Sequence, residues 1–294
     1  MVRKETPEQR EYYKPFRCVA GYVLCVMVIM NALNMATSGI SIAGRFIFEN
    51  EILQDIFSSG VLYGSMILGY YLCYRILFRK YIDRIYQRET IRKEKLLSLI
   101  PVCLGTFVYG LCCWQLWSLV PEVAYETEEG AIGLSGIIYA CLGAPIMEEL
   151  VFRYWIRKLM KPYGRWCYVL LSALAFGLFH GTWLQSVPAM FIGLAFGLIA
   201  WHYDSIVPTV LLHIANNTLS TVSAYYPIEI SETLIYVITA VFLAIMFIVL
   251  FRKLRWKDFG KPFKLIPQSF SYIAFIVLYV LMIVGDVLIR HYFH

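Results

Sequence analysis

The sequence has few charged residues and long stretches with none. Only 16% of the 294 residues are Asp, Glu, Lys or Arg, against about 25% in an ordinary soluble domain. Hydrophobic residues make up 60% of the chain. They are grouped in blocks that approach the length of about 20 residues that a helix needs to cross a bilayer. This composition excludes a soluble globular protein and predicts an integral membrane protein.

Nine apolar blocks are candidates for membrane spans. A backbone in lipid must pair its own polar groups, and continuously apolar blocks favour helices over a barrel. Because several blocks are short, we predict an all-α, polytopic transmembrane helical bundle of about eight or nine spans. The blocks cover residues 18–37, 60–78, 96–119, 132–151, 166–180, 188–201, 206–222, 233–251 and 272–289.

Features of secreted and multidomain proteins are also missing. The eight cysteines show none of the paired spacing that holds zinc or crosslinks a secreted domain. The chain opens with a charged stretch followed by a long apolar block, so we expect a retained first span rather than a cleavable signal peptide. We see no internal repeat and no long linker. The prediction is one membrane domain over residues 1–294.

Basic and acidic loops alternate along the first half of the chain. Segments 3–17 and 79–95 are basic, whereas segments 49–55 and 122–129 are acidic. Because Lys and Arg near span ends mark the cytoplasmic side, we expect a cytoplasmic N-terminus, in a bacterial plasma membrane. Basic loops that face anionic lipid headgroups explain the net charge of +6. No nucleic-acid partner is needed to explain it.

The second half of the chain carries ionisable and amide side chains inside its apolar blocks. A charged group at the bilayer centre costs about 2.5 to 3.5 kcal/mol on insertion scales, so such residues generally face a protein interior or a wet cavity. We therefore predict a buried polar cavity with a function. The residues concerned are Glu148, Glu149, Arg153, His180, His213 and Asn217.

Helical spacing groups these side chains further. Glu149 and Arg153 are four residues apart and can pair on one helix face, whereas Glu148 points about 100° away and is left unpaired. His213 and Asn217 are also four residues apart, so an imidazole and an amide lie one turn from each other. A carboxylate and an imidazole can remove a proton from water, and two further donors can hold an oxyanion. These groups suit the hydrolysis of an amide.

In their order along the chain, the residues resemble the three motifs of the CAAX protease and bacteriocin-processing (CPBP, or Abi) family. The matching region covers residues 132–220, and segments 1–130 and 221–294 are flanking transmembrane spans. The motifs are Glu148-Glu149-x-x-x-Arg153, Phe176-x-x-x-His180 and His213-x-x-x-Asn217.

This resemblance implies a glutamate-dependent intramembrane endopeptidase without a metal or other cofactor. A peptide or protein substrate would enter from the membrane or the cytoplasmic side. Some members cut prenylated CAAX tails and others are linked to bacteriocin leader removal or self-immunity, so the substrate and the oligomeric state stay open. The implied roles are water activation for Glu148 and His180, oxyanion stabilisation for His213 and Asn217, and support of the site for Glu149 and Arg153.

Two other readings compete with this one. Glu148, His180 and His213 could form a zinc site with one carboxylate and two histidines, although the His-Glu-x-x-His helix that delivers two imidazoles to one metal is absent. Alternatively, the protein could be a non-catalytic immunity factor, a scaffold or a small transporter whose polar residues serve helix packing or a proton path. Polar residues confined to one half of the chain and the absence of a duplicated half argue against transport.

Overall fold

The computed structural model describes residues 6–82, 134–225, 256 and 258–293, together with positions 105, 106, 108, 110, 237 and 241. Every regular element in these residues is helical, which confirms the predicted all-α class. Two predicted spans, 96–119 and 233–251, lie almost wholly outside the described residues. They therefore stay predictions.

The described residues form eight main helices, α1 to α8 in chain order. Several are interrupted by single π-helical or 3₁₀ turns without breaking the chain direction. They are α1 (Pro7–Ile47), α2 (Glu51–Phe78), α3 (Leu134–Tyr163), α4 (Arg165–Phe179), α5 (Trp183–Tyr203), α6 (Val207–Tyr225), α7 (Lys261–Leu265) and α8 (Phe270–Phe293).

Helices α1, α2, α3 and α5 are each long and apolar enough to cross a membrane. A fifth candidate span exists if Lys261–Gln268 and Phe270–Gly285, which meet at 95°, are counted together. Helix α4 is apolar but has only 15 residues. These helices indicate a membrane protein, but the predicted number of eight or nine spans is not confirmed.

Close packing of α4 against α5 depends on glycine. A Cβ atom on Gly177 would lie 2.6 Å from the backbone oxygen of Ser186, and one on Gly193 would lie 3.1 Å from the Cα atom of Ala173. Only a residue without a side chain permits this approach of the two backbones. The close contact fixes the C-terminal end of α4, where one of the predicted site histidines lies.

The turn between α4 and α5 has clear local causes. Helix α4 ends at Phe179, and Gly181 follows with φ of +77°. This left-handed conformation suits glycine and closes the helix, with the Gly181 N–H donating to the Leu178 carbonyl. The next helix begins after Thr182, whose hydroxyl accepts a hydrogen bond from the Gln185 N–H. His180 is thereby held at the end of α4.

Helix α3 is irregular on both sides of the two adjacent glutamates. The regular segment Ala144–Glu149 lies between π-helical turns at Tyr139–Gly143 and Leu150–Trp155. Pro145 contributes to the first irregularity because it has no N–H to donate within the helix. Since a π turn changes the angle between successive residues, these turns alter the directions in which the glutamates point.

Candidate active site

Glu149 is the centre of a buried charged cluster. It is fully buried, and its Oε1 atom lies 3.3 Å from a terminal guanidinium nitrogen of Arg153, which is also fully buried. The predicted pairing of these residues across one helical turn is confirmed. The same Oε1 atom accepts a hydrogen bond of 3.0 Å from Nδ1 of His213. One carboxylate therefore contacts both a guanidinium and an imidazole.

Aromatic rings surround the Arg153 guanidinium. Its Cζ atom lies 4.2 Å from the ring centre of Phe176, 5.5 Å from that of Phe196 and 5.7 Å from that of Phe152. A guanidinium over an aromatic face is attracted by the negative charge density of the ring, and more strongly when water is excluded. The cation is therefore stabilised by Glu149 on one side and by aromatic faces on others.

Glu148 lies near the second ring nitrogen of His213, the one that Glu149 does not contact. Its Oε2 atom is 3.8 Å from Nε2 of the imidazole, which is longer than a direct hydrogen bond. That oxygen is buried and has no hydrogen-bond partner among the described residues. Arg153 pairs with Glu149 and not with Glu148 among the described residues. The sequence predicted that Glu148 would be left unpaired, and it did not predict that His213 would lie between the two carboxylates.

His180 has its imidazole fixed by the backbone of its own helix. Because a carbonyl can only accept, Nδ1–H donates to the Phe176 carbonyl at 2.9 Å, and Nε2 is the nitrogen left for other contacts. The Phe176 ring contacts the imidazoles of both His180 and His213, with ring centres 4.9 and 5.6 Å apart. In the described part of the chain, His180 and Glu148 form no hydrogen bond or ion pair with each other.

The side chain of Asn217 connects α6 to α3. Its Nδ2 donates to the Ala140 carbonyl at 2.9 Å, and its Oδ1 accepts a hydrogen bond of 3.4 Å from Asn216. Ala140 lies in the first π-helical turn of α3. The amide of Asn217 is therefore held in a fixed orientation, one turn after His213, as the spacing predicted.

The alternative zinc reading would need Glu148, His180 and His213 to be grouped around one ion. Over the ranges that the structure describes, no three His, Cys, Asp or Glu side chains are grouped to hold an ion. Glu148, His180 and His213 are included in those ranges. The predicted polar cavity is also not confirmed, because Glu149 and Arg153 are wholly buried and packed against other side chains.

Comparison with known proteins gives a match to one part of the chain. Residues 130–219 match the model of the type II CAAX prenyl endopeptidase Rce1-like family. The predicted resemblance to CAAX proteases is confirmed. This Rce1-like segment is less than a third of the chain and contains all six predicted site residues. No curated protein and no solved structure matches the chain.

Two aromatic neighbours of the six predicted site residues were not predicted from the sequence. Phe176 was noted only as the start of a motif, yet its ring contacts Arg153 and both histidines. Its position four residues before His180 was the available signal, because that spacing gives one helix face. Tyr139 was also missed, although it contacts the ring of Tyr63 and precedes Ala140, whose carbonyl accepts the hydrogen bond of Asn217.

Proposed function

We propose that this protein is an intramembrane endopeptidase of the CAAX protease type, which hydrolyses a peptide bond with an activated water molecule. The observation that carries the proposal is the placement of His213 between two carboxylates, within the Rce1-like segment. Nδ1 of His213 is bound to Glu149, while Nε2 lies 3.8 Å from an unpaired oxygen of Glu148. A purely structural ion pair has no need of that second carboxylate.

Glu148 is the proposed general base. Its buried Oε2 atom has no hydrogen-bond partner among the described residues, so it is available to accept a hydrogen bond from a water molecule. A carboxylate so placed accepts the proton as the water attacks the substrate carbonyl. His180 supports this step through Nε2, which in the neutral imidazole has a free lone pair because Nδ1 carries the hydrogen.

His213 and Asn217 are the proposed oxyanion donors. Attack of water on the carbonyl carbon places negative charge on the carbonyl oxygen, which hydrogen-bond donors stabilise. One N–H of Asn217 donates to Ala140, and the second N–H is left for this role. For His213 to donate through Nε2, its imidazole must carry both protons. Glu149 stabilises that cation, and Arg153 balances the charge of Glu149.

Collapse of the tetrahedral intermediate completes the reaction. The C–N bond breaks, and the departing amine takes the proton that Glu148 or His180 accepted from water. These steps use only side chains of this chain, so we propose catalysis without a metal or other cofactor. Arg153 contributes indirectly, because its ion pair with Glu149 holds that carboxylate in place.

The proposed substrate is a peptide or protein segment that enters from the membrane or the cytoplasmic side. It is either a CAAX-type tail or a leader peptide of the bacteriocin type. We also propose that the N-terminus lies in the cytoplasm, on the basis of the alternating loop charges, and that the membrane is a bacterial plasma membrane. No nucleic-acid partner is proposed.

The test uses the full chain, purified and reconstituted in lipid vesicles. A prenylated CAAX peptide and a leader-type peptide are incubated with the wild type and with Glu148→Gln, and products are identified by mass spectrometry. We expect cleavage of one peptide by the wild type and none by the variant. Each reaction is repeated with a metal chelator, and full inhibition would favour the zinc reading instead.

A cellular comparison covers substrates that are absent from the peptide panel. Membrane and secreted peptides are compared between cells that express the wild type and cells that express Glu148→Gln at equal levels. A peptide whose length depends on Glu148 identifies the substrate. Identical peptide sets, with immunity or another cellular function retained by the variant, would contradict the endopeptidase proposal.

A further inference from the structure

Helix α2 lies outside the Rce1-like segment, yet it contacts α3 at two levels. At the first level, the Tyr63 hydroxyl donates to the Ser135 carbonyl at 2.6 Å, and the Ser135 hydroxyl donates to Asp55. At the second level, the ring of Tyr74 stacks on Trp155 with ring centres 5.8 Å apart. The two helices therefore run side by side in the same direction.

The register of this pair places Tyr70 at the level of Glu148. Tyr63 contacts Tyr139, which is 76 positions later, and Tyr74 contacts Trp155, which is 81 positions later. Glu148 is 78 positions after Tyr70, so the two fall between these contacts in the same order along both helices. These two ring contacts establish the register of the helices, and neither contact involves Glu148.

The face of α2 that meets α3 includes Tyr70. It lies seven residues, about two helical turns, after Tyr63, and such residues share a face. Tyr70 is only 4% exposed, whereas its neighbour Tyr71 is 54% exposed and lies on the outer surface. Tyr74, which is four residues after Tyr70 and shares its face, stacks on Trp155 of α3.

A hydrogen-bond donor beside Glu148 would stabilise the carboxylate of this proposed general base. A carboxylate in a membrane-embedded site requires compensation for its lost hydration. Arg153 is the nearby cation, and it is paired with Glu149. A neutral hydroxyl suits Glu148 better than a cation, because it can orient the carboxylate without cancelling the negative charge that attracts a proton.

We propose that Tyr70 is a positioning residue whose hydroxyl donates a hydrogen bond to the Glu148 carboxylate when substrate is bound. The catalytic part of this inference rests on the endopeptidase proposal above. Catalytic hydrogen bonds are often long without substrate and tighten in the complex. A helix outside the family match thus completes the site.

The kinetic test compares Tyr70→Phe with Tyr71→Phe in the full chain reconstituted in vesicles. Hydrogen bonds to charged groups contribute about 1.5 to 3 kcal/mol, which corresponds to a reduction in kcat of about 10- to 100-fold for Tyr70→Phe. We expect KM to stay within about twofold, because the hydroxyl acts on the base and not on substrate binding. The same change at Tyr71, on the outer surface, should leave both constants unchanged.

A spectroscopic test does not require turnover. Infrared difference spectra identify the carboxyl band of Glu148 as the one that disappears in Glu148→Gln, in the presence of a non-cleavable peptide aldehyde or ketone as the probe. Tyr70→Phe should shift that band, since the band frequency depends on hydrogen bonding, and Tyr71→Phe should not. Thermal unfolding of each variant checks that the fold is retained.

The outcomes separate the two proposals. Wild-type kcat or an unshifted Glu148 band in Tyr70→Phe would overturn the role of Tyr70 and leave the endopeptidase proposal intact. Full activity of Glu148→Gln would overturn the endopeptidase proposal. The infrared band would then still decide whether Tyr70 and Glu148 are hydrogen-bonded.

Discussion

His213 donates a hydrogen bond of 3.0 Å from Nδ1 to Oε1 of Glu149, across 64 positions of the chain. Both side chains are buried, and the same carboxylate oxygen lies 3.3 Å from the Arg153 guanidinium. This hydrogen bond joins α3 to α6 and fixes which nitrogen of the imidazole faces Glu148. The two adjacent glutamates therefore have different environments, and substitutions at them should have different effects.

Glu149→Gln should destabilise the protein, whereas Glu148→Gln should remove activity with little loss of stability. Removal of one charge from a buried ion pair costs about 3 to 5 kcal/mol, because the remaining charge is left uncompensated. Arg153 would be that charge. Glu148 contacts no guanidinium or ammonium group among the described residues, so its neutralisation leaves no buried cation unpaired.

Thermal unfolding in detergent and peptide cleavage in vesicles are measured for both of these variants. Since the substitution is the same at adjacent positions, each variant is the control for the other. Equal losses of stability at the two positions would contradict the distinct environments described here.

Arg153→Lys should lower stability although the positive charge is kept. An ammonium group cannot stack flat on the Phe176 ring, over which the guanidinium lies at 4.2 Å. We expect a loss of about 1 to 2 kcal/mol in the free energy of unfolding, the range for a desolvated cation–π contact. Arg10→Lys is the control because Arg10 is exposed and has no aromatic contact among the described residues. An equal effect at both sites would show that the aromatic contacts of Arg153 do not matter.

Gly177→Ala should destabilise the packing of α4 on α5. The added Cβ atom would lie 2.6 Å from the Ser186 carbonyl oxygen, a backbone atom that cannot rotate away. Overpacking of this kind costs about 1 to 3 kcal/mol. Gly39→Ala provides the contrast, because its Cβ atom would meet nothing within 4 Å, and alanine is favoured over glycine in a helix by about 1 kcal/mol. Opposite shifts of the unfolding midpoint are expected.

Asp204 should make stability depend on pH at the C-terminal end of α5. Its carboxylate accepts hydrogen bonds from Arg157 and, at 2.8 Å, from Lys161. Partial burial raises the pKa of Asp204, but the Lys161 hydrogen bond and the positive charges of Arg157 and Lys161 outweigh it and lower the pKa below its usual value. The stabilisation is therefore present above the usual pKa of about 3.9 and is lost as the pH falls through the folded value.

Asp204→Asn removes this dependence without altering the backbone preference. Asp204 has φ of +52°, and asparagine tolerates the left-handed region as well as aspartate does. Because the aspartate side chain is half exposed, we expect a difference of at most about 1 kcal/mol near neutral pH. The unfolding midpoints of wild type and variant should converge as the pH falls below about 4. A constant gap would contradict this assignment.

Several features were predictable because they depend on local periodicity. Apolar composition predicts helices in a membrane, and a spacing of four residues predicts that Glu149 and Arg153 pair. The number of spans was less predictable, since hydropathy alone does not separate a full span from a shorter helix such as α4. Helix α6 is also not among the candidate spans. Its polar side chains, at His213, Asn216 and Asn217, require protein partners rather than lipid.

Contacts between helices could not be read from the sequence. The bond of Asn217 to the Ala140 carbonyl and the position of Tyr70 beside α3 depend on register and tilt, which no spacing within one helix specifies. The π-helical turns of α3 add to this, because they change the directions of Glu148 and Glu149 from those of a regular helix.

The amino-acid sequence was enough to predict a helical membrane protein, an ordered set of six polar residues and the pairing of neighbours within one helix. These follow from hydropathy and helical period, which are properties of short segments. Only the tertiary structure decided that His213 lies between Glu149 and Glu148 and that Arg153 is surrounded by aromatic rings. Those relationships exist only after separate helices have packed, because packing alone brings residues that are far apart in the chain within contact distance.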